Sequence, residues 1–250
     1  MGCISFHVGI LIAYIYVTMN VTTTKQGGNT MKTIAKTATS AQVGEEKAEI
    51  RFCDDIEMLA IDRGRKSCVH ATEFCKKACF NNKLYRIYPA MTGKDLRNDS
   101  YWQALTGDKL AETLKKSRKN TARFRLMTRG EAFSTMADID KVADLLRKSP
   151  NTLFWIPTRA WRNAEMRQAI DSIREMPNSR ILASIDPSNS PNEINEIVAA
   201  GWSTMFFGNN NECPTNAIKC PKTWEKIVHC MSCATGCFKA SQVHVWLKSH

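Results

Sequence analysis

Apolar positions along this chain recur with two periods. Residues 123–128 alternate charged and apolar side chains. Residues 152–156 form a short apolar run rich in aromatics that ends at Pro157, and 180–185 and 203–207 are further apolar runs of strand length. Between them the period changes to that of a helix. Ile139, Val142, Leu145 and Leu146 make one stripe, Met166, Ile170, Ile173 and Met176 a second, and Ile194, Ile197 and Val198 a third. The third has a start signal in Ser190, Pro191 and Glu193 (N-cap, first position and capping-box partner), and Gly201 stands where it should stop. An earlier helix is predicted over 108–119, with Leu110, Ala111 and Leu114 inward. Strands alternating with helices at this spacing predict an α/β fold with a parallel sheet, taken as a partial (β/α) barrel.

The ends of the chain read differently. Residues 4–16 are apolar apart from Ser5, His7 and Gly9, shorter than the roughly 20 residues of a membrane-spanning helix. No basic segment precedes them, so a secretory signal is not indicated. Gln26-Gly27-Gly28 can be encoded by a ribosome-binding sequence two codons upstream of Met31. The expectation is a true start at Met31, with 1–30 as translated leader; the alternative is a real tail or weak anchor. Residues 32–50 show no apolar period and are expected as a flexible lead-in. The expected organisation is 1–50 leader and lead-in, 51–210 an α/β domain with a cysteine cluster at its start, and 211–250 a cysteine-rich metal-binding extension.

Composition narrows the class. With 43% hydrophobic and 24% charged residues in 250, the chain is globular, which excludes disorder and a multi-pass membrane protein. Lys+Arg exceeds Asp+Glu by 35 to 24, a net +11, which fits a polyanionic partner such as a nucleotide or nucleic acid. Lys109, Lys115, Lys116, Arg118, Lys119, Arg123, Arg125 and Arg129 are expected on an outer face, either as a solvated surface or as a phosphate-binding stripe.

The ten cysteines change the picture most. Cys68, Cys75 and Cys79 follow a C-x6-C-x3-C pattern. Cys220, Cys230, Cys233 and Cys237 form a second group, with Cys213 as an additional donor. Short spacings let thiolates converge on one centre, and thiolates suit an iron–sulfur cluster or zinc. Four cysteines complete a closed, structural site; three leave a position open or recruit His70 or Cys53. The predicted strand ends are polar as well: Gly130-Glu131, Arg159 with Arg162, Ser184 with Asp186, and Gly208-Asn209. Ligands bind at such carboxyl ends. Glu131, Arg159, Ser184 and Asp186 are therefore candidate catalytic residues, Arg162 and Asn209 candidate substrate contacts, and Gly130 a point where a ligand can approach the backbone.

These residues together resemble the phage and bacterial gene product 88 family, which has no established function. The resemblance covers roughly residues 50–250. It rests on the first cysteine segment ending Ala78-Cys79-Phe80, on Phe124 to Phe133, on Leu153 to Arg162, on Met176 to Asp186, on the cysteine-rich tail and on the closing Trp246 to His250. Glu131 stands where the family shows Asp, and Ala132 is inserted before Phe133. In layout the chain is also similar to radical S-adenosylmethionine enzymes, without their C-x3-C-x2-C spacing. That likeness implies a four-iron cluster on Cys68, Cys75 and Cys79, with Gly130 and Glu131 contacting S-adenosylmethionine. The expected function is an iron–sulfur enzyme acting on a nucleotide or nucleobase in the cytoplasm. The alternative is a zinc-stapled, non-catalytic binding protein for nucleic acid or a host factor. No helix-turn-helix, zinc-finger spacing or aromatic single-strand platform is legible.

Overall fold

The computed structural model describes residues 5–26, 29–53, 58–116, 122–208, 216–224, 229–230, 233–239 and 241–248. Two contact units are present. One is formed by residues 7–48 and contains most of two long strands, β1 (Ser5–Gln26) and β2 (Asn29–Cys53). The stretch expected as a flexible lead-in lies within β2. The other unit holds the α/β core.

In that core β3 (Met58–Ile61), β4 (Arg123–Leu126), β5 (Leu153–Thr158), β6 (Ser179–Ile185) and β7 (Ser203–Gly208) lie side by side in chain order. β8 (Ile218–Lys219) is the far edge, and β9 (His244–Lys248) inserts between it and β7. All seven strands are parallel; the end of β2 pairs antiparallel with β3 through Arg51 and Ala60. The 211–250 stretch expected as an extension thus supplies two strands of the sheet. The order runs from edge to edge, so the parallel α/β sheet is what the fold establishes.

The helices follow from the apolar periods. α4 (Gly107–Lys116) buries Leu110, Ala111 and Leu114; α5 (Met136–Lys148) buries Ile139, Val142, Leu145 and Leu146. α6 (Ala164–Arg174) buries Met166, Ile170 and Ile173, and α7 (Pro191–Ala199) buries Ile197. Both sides of the Ser190–Glu193 capping box are made. Because β4 to β7 are consecutive neighbours, right-handed crossovers put α5, α6 and α7 on one face. Register puts Phe124, Phe154, Ile181 and Phe206 on one side of the sheet and Arg125, Trp155, Leu182, Met205 and Val245 on the other. On that second side Trp155, Leu182, Val243 and Val245 form a cluster against which Cys220, Cys237 and Phe238 pack.

Three further helices fill the long connection from β3 to β4: α1 (Glu73–Ala78), α2 (Phe80–Ile87) and α3 (Ala90–Ala104). The last completed helix, α8 (Pro221–Trp224), is a single turn. α3 turns Asp95, Asn98, Tyr101 and Trp102 inward, a mixed polar face with no apolar period. Its partners are charged. Arg63, 1% exposed just past β3, contacts Asp99 at 2.7 Å and Asp138 at 3.2 Å and lies over the Trp102 ring. Asp138 also accepts Trp102 Nε1 at 2.6 Å and closes the α5 capping box with Thr135. A buried guanidinium is tolerable only when its donors are satisfied in this way.

Candidate thiol centre at the strand ends

The carboxyl ends of β3 to β6 are tied together by buried carboxylates. Asp62, one residue past β3, accepts the backbone N–H groups of Thr128 and Arg129 at 2.9 Å each and pairs with Arg129 Nη2 at 3.0 Å. Arg129 also pairs with Asp95 at 2.9 Å. Burial alone would lower the Arg129 pKa, but Asp95 and Asp62 more than offset it and the net shift is upward. Expected on an outer basic face, Arg129 turns inward because these two carboxylates compensate it. Arg123 and Arg125 are not outward either: they stack over Phe238 (4.8 Å) and Trp155 (4.3 Å) on the sheet face. Of that stripe Lys109, Lys115 and Lys116 are exposed, and Arg118 and Lys119 lie outside the described residues.

Gly130 follows with φ +90°, and a Cβ there would stand 2.5 Å from the Arg63 carbonyl oxygen and 2.7 Å from Ser67 Oγ. Its missing side chain serves close packing against the 63–67 turn, and protein occupies the space where ligand approach was expected. Glu131 is equally committed. Oε1 accepts Phe133 N–H at 3.2 Å, Oε2 accepts Arg159 N–H at 3.0 Å, and its own N–H donates to Ser67 Oγ at 2.9 Å. Burial raises its pKa despite these bonds.

Asp186, 0% exposed, anchors the next layer. Arg159 Nη1 meets Oδ2 at 2.6 Å, Thr72 Oγ1 donates to the same oxygen at 2.6 Å, and Ser188 N–H donates to Oδ1 at 3.0 Å. Burial pushes its pKa up, but Arg159, Ser188 and Thr72 outweigh burial and hold it below the usual aspartate range. Ser184 is buried two residues earlier in β6, and its carbonyl accepts Trp161 Nε1 at 2.9 Å. Arg162 is exposed and faces the start of α7 near Glu193, apart from this group. Asn209 and Cys213 lie outside the described residues.

Thr72 is also the N-cap of α1, accepting Cys75 N–H at 2.9 Å. One hydroxyl therefore fastens the first cysteine segment to the end of β6. Phe74 adds an edge contact to Phe207 with centroids 6.3 Å apart. Burial pushes the Cys68 thiol up to about 12, with Glu131, Cys75 and Cys79 adding to the rise. Burial also raises Cys75, partly offset by Arg159, which hydrogen-bonds to its sulfur. Arg159 thus stands between a thiol and a carboxylate. His70, in the same segment, has a buried Nε2 without a hydrogen-bond partner, and burial lowers its pKa.

The second group lies over the other half of the same sheet face. Arg123 Nη1 donates to the Cys230 carbonyl at 3.0 Å and Arg180 Nε to the Phe238 carbonyl at 3.0 Å. Burial pushes Cys237 up to about 12, with Cys220, Cys233 and Cys230 contributing; burial raises Cys230 as well. All seven described cysteines outside β2 are free thiols. Each group is close enough to interact electrostatically, yet among the described residues no three Cys, His, Asp or Glu side chains stand as a ready metal-ion site.

Comparison with known proteins places this geometry. The family model described as Gene product 88 matches residues 22–201. The chain belongs to the gene product 88 family. It is similar to the Gene 88 protein of Mycobacterium phage L5, with 27% identity over 173 residues, 62% of this chain and 69% of that protein. No solved structure matches. The family match contains the first cysteine group and the ends of β3 to β6; the second group lies beyond it. Among the described residues no helix is long and apolar enough to cross a membrane.

Sequence reasoning missed Asp62, Arg63, Asp95 and Thr72. The one available signal was local: Thr72 followed by Glu73 at the start of a helix is an N-cap pattern.

Proposed function

We propose that this gene product 88 protein is a thiolate-centred metalloprotein whose working centre is Cys68, Cys75 and Cys79, holding an iron–sulfur cluster. In this reading the sheet curls as a partial (β/α) barrel, with its helices outside and both cysteine groups on the inner face. The observation that carries it is which donors remain at the strand ends. Glu131 and Asp186 are both saturated by protein donors. Among the described residues of this first cysteine segment, the three thiols and His70 Nε2 have ligating chemistry to offer.

Electrostatics supports the same reading. The half-buried Cys68 thiol, raised by burial and by the neighbouring Glu131, Cys75 and Cys79, ionises together with its neighbours only if a cation compensates them. Cysteine groups of this kind are soft donors for iron–sulfur clusters or zinc. A cluster on three thiolates supplies an open metal position for a further ligand, the chemistry of an enzyme rather than a staple. Binding requires the short α1 to tighten, since the donors are neighbours rather than a closed shell. Cys220, Cys230, Cys233 and Cys237 would form the structural or electron-relay site. The net positive charge favours a nucleotide or nucleic acid as the partner.

The test is metal and acid-labile sulfide analysis of protein purified without oxygen, with S-adenosylmethionine binding measured on the same sample. About four irons per triad with matching sulfide and broad visible absorption supports the reading. Stoichiometric zinc without sulfide supports a zinc-stapled binding protein instead. Metal-free protein overturns both.

A further inference from the structure

The amino ends of β6 and β7 border a cavity of about 330 Å³, at the opposite ends of the strands from the first cysteine group. It forms because β6 starts early. Its pairing with β7 begins at Leu182 and Ser203, so Ser179, Arg180 and Ile181 reach past the start of β7. The end of α6 and the turn at Gly201 line it, together with Cys237, Lys239 and Gln242 from ahead of β9. Gln242 Nε2 fastens that last segment to the Val198 and Trp202 carbonyls at 3.0 and 2.8 Å. The charges in the lining do not balance. Arg174 pairs with Asp171 at 3.1 Å. Arg180 is half-buried and donates only to carbonyls, Nε to Phe238 and Nη1 to Pro177 and Ser179, which leaves Nη2 unused. Lys239 is exposed. Among the described residues no carboxylate pairs with Arg180 or Lys239, Glu175 in the same lining included.

We infer that this cavity binds a phosphorylated small molecule, with Arg180 and Lys239 on its phosphate. The arginines buried at the other strand ends set the contrast. Arg63 has Asp99 and Asp138, Arg129 has Asp62 and Asp95, and Arg159 has Asp186. Arg180 has no carboxylate, and burial alone acts on its pKa, downward. A bound anion supplies the compensation that the protein does not. Two uncompensated cations suit a phosphate monoester, which carries about two negative charges at neutral pH, better than a single carboxylate. The volume is that of a small-ligand site, and Met176, Pro177 and Leu182 offer apolar wall to the rest of the molecule. A nucleic-acid strand instead needs an open groove along which cations and stacking rings repeat. Neither cysteine group needs its metal for this site, which is independent of the proposed function.

The test is isothermal titration calorimetry of the full chain with ribose 5-phosphate, inorganic phosphate, ribose and acetate, with metal content measured on each sample. Ribose 5-phosphate should bind most tightly and inorganic phosphate more weakly, with no measurable binding of ribose or acetate. Arg180→Met keeps most of the stem and removes the charge, and should weaken both phosphates about tenfold to a hundredfold. Lys239→Gln should weaken them about tenfold, and Lys109→Gln/Lys115→Gln on α4 should change nothing. Ribose 5-phosphate should raise the Tm of the wild type and not that of Arg180→Met. Lys239→Gln, at an exposed position, carries the comparison if Arg180→Met fails to fold. Cys75→Ala should bind ribose 5-phosphate normally whatever its metal content, which separates failure here from failure of the metal reading. No binding of either phosphate, binding of ribose or acetate as tight as that of ribose 5-phosphate, inorganic phosphate at least as tight as the ester, or equal loss in the α4 variant would overturn the inference.

Discussion

Thr72 donates its hydroxyl to Asp186 at 2.6 Å across 114 residues of sequence, and the same oxygen caps the helix that carries Cys75. This side chain and the Phe74–Phe207 contact hold the α1 part of the first cysteine group at the strand ends, beside the Ser67 bond to Glu131 that holds its start. Thr72→Val keeps the shape and removes the hydroxyl. We expect a stability loss of about 2 kcal/mol in urea unfolding, since a bond to a charged group is lost and a backbone donor is left unmet. Cys75 should also react faster with a thiol reagent, and Thr72→Ser should restore both. Unchanged stability and labelling would show that the segment is held by something else.

Asp186 sets an acid limit on the fold. Its folded pKa lies below its unfolded value, so its contribution is present above the ordinary aspartate range. That contribution is lost as pH falls below about 4 and through the folded pKa. Glu131 is shifted the other way by burial, and its term works in the opposite sense. Comparison of wild type with Asp186→Asn isolates the first. The variant should be less stable at neutral pH and show a shallower decline on the acid side in urea unfolding. Parallel pH profiles would contradict the assignment.

Gly130 is required by space and by backbone together. With φ at +90° and the Arg63 carbonyl 2.5 Å from where a Cβ would sit, Gly130→Ala cannot be accommodated without moving the 63–67 turn. A loss of about 2–4 kcal/mol is expected by thermal or urea unfolding. A variant as stable as wild type would mean that this turn is not packed as described.

Which parts were legible follows from what generates a pattern. β4 to β7 and α4 to α7 were visible because each buries an apolar face with a regular period, and α7 because Ser190, Pro191 and Glu193 encode its start. α3 was not, because it buries Asp95, Asn98, Tyr101 and Trp102, which read as a surface mixture. β3 was missed because four helices, rather than one at regular strand–helix spacing, separate it from β4, and β9 because it enters the sheet out of chain order, between β7 and β8. Glu131, Arg159, Ser184 and Asp186 were found as polar residues at strand ends, and the structure links Glu131, Arg159 and Asp186 there, with Ser184 buried two residues before Asp186. Their commitment to one another was not readable. It depends on Ser67 and Thr72, which arrive from the first cysteine segment and the residue just before it. Arg129 misled for the same reason: its partners, Asp62 and Asp95, are 67 and 34 residues away.

The most direct test of the thiol-centred account is iron and sulfide content set against stability in the Cys75→Ala and Cys233→Ala proteins, both purified without oxygen. Cys75→Ala should lose the iron and sulfide of one cluster and keep most of its thermal stability, because the segment it sits on lies over the strand ends rather than within the apolar core. Cys233→Ala should lower stability sharply, because a closed metal site contributes folding free energy directly. Iron and sulfide unchanged in both variants, or absent from the wild type, would contradict the account.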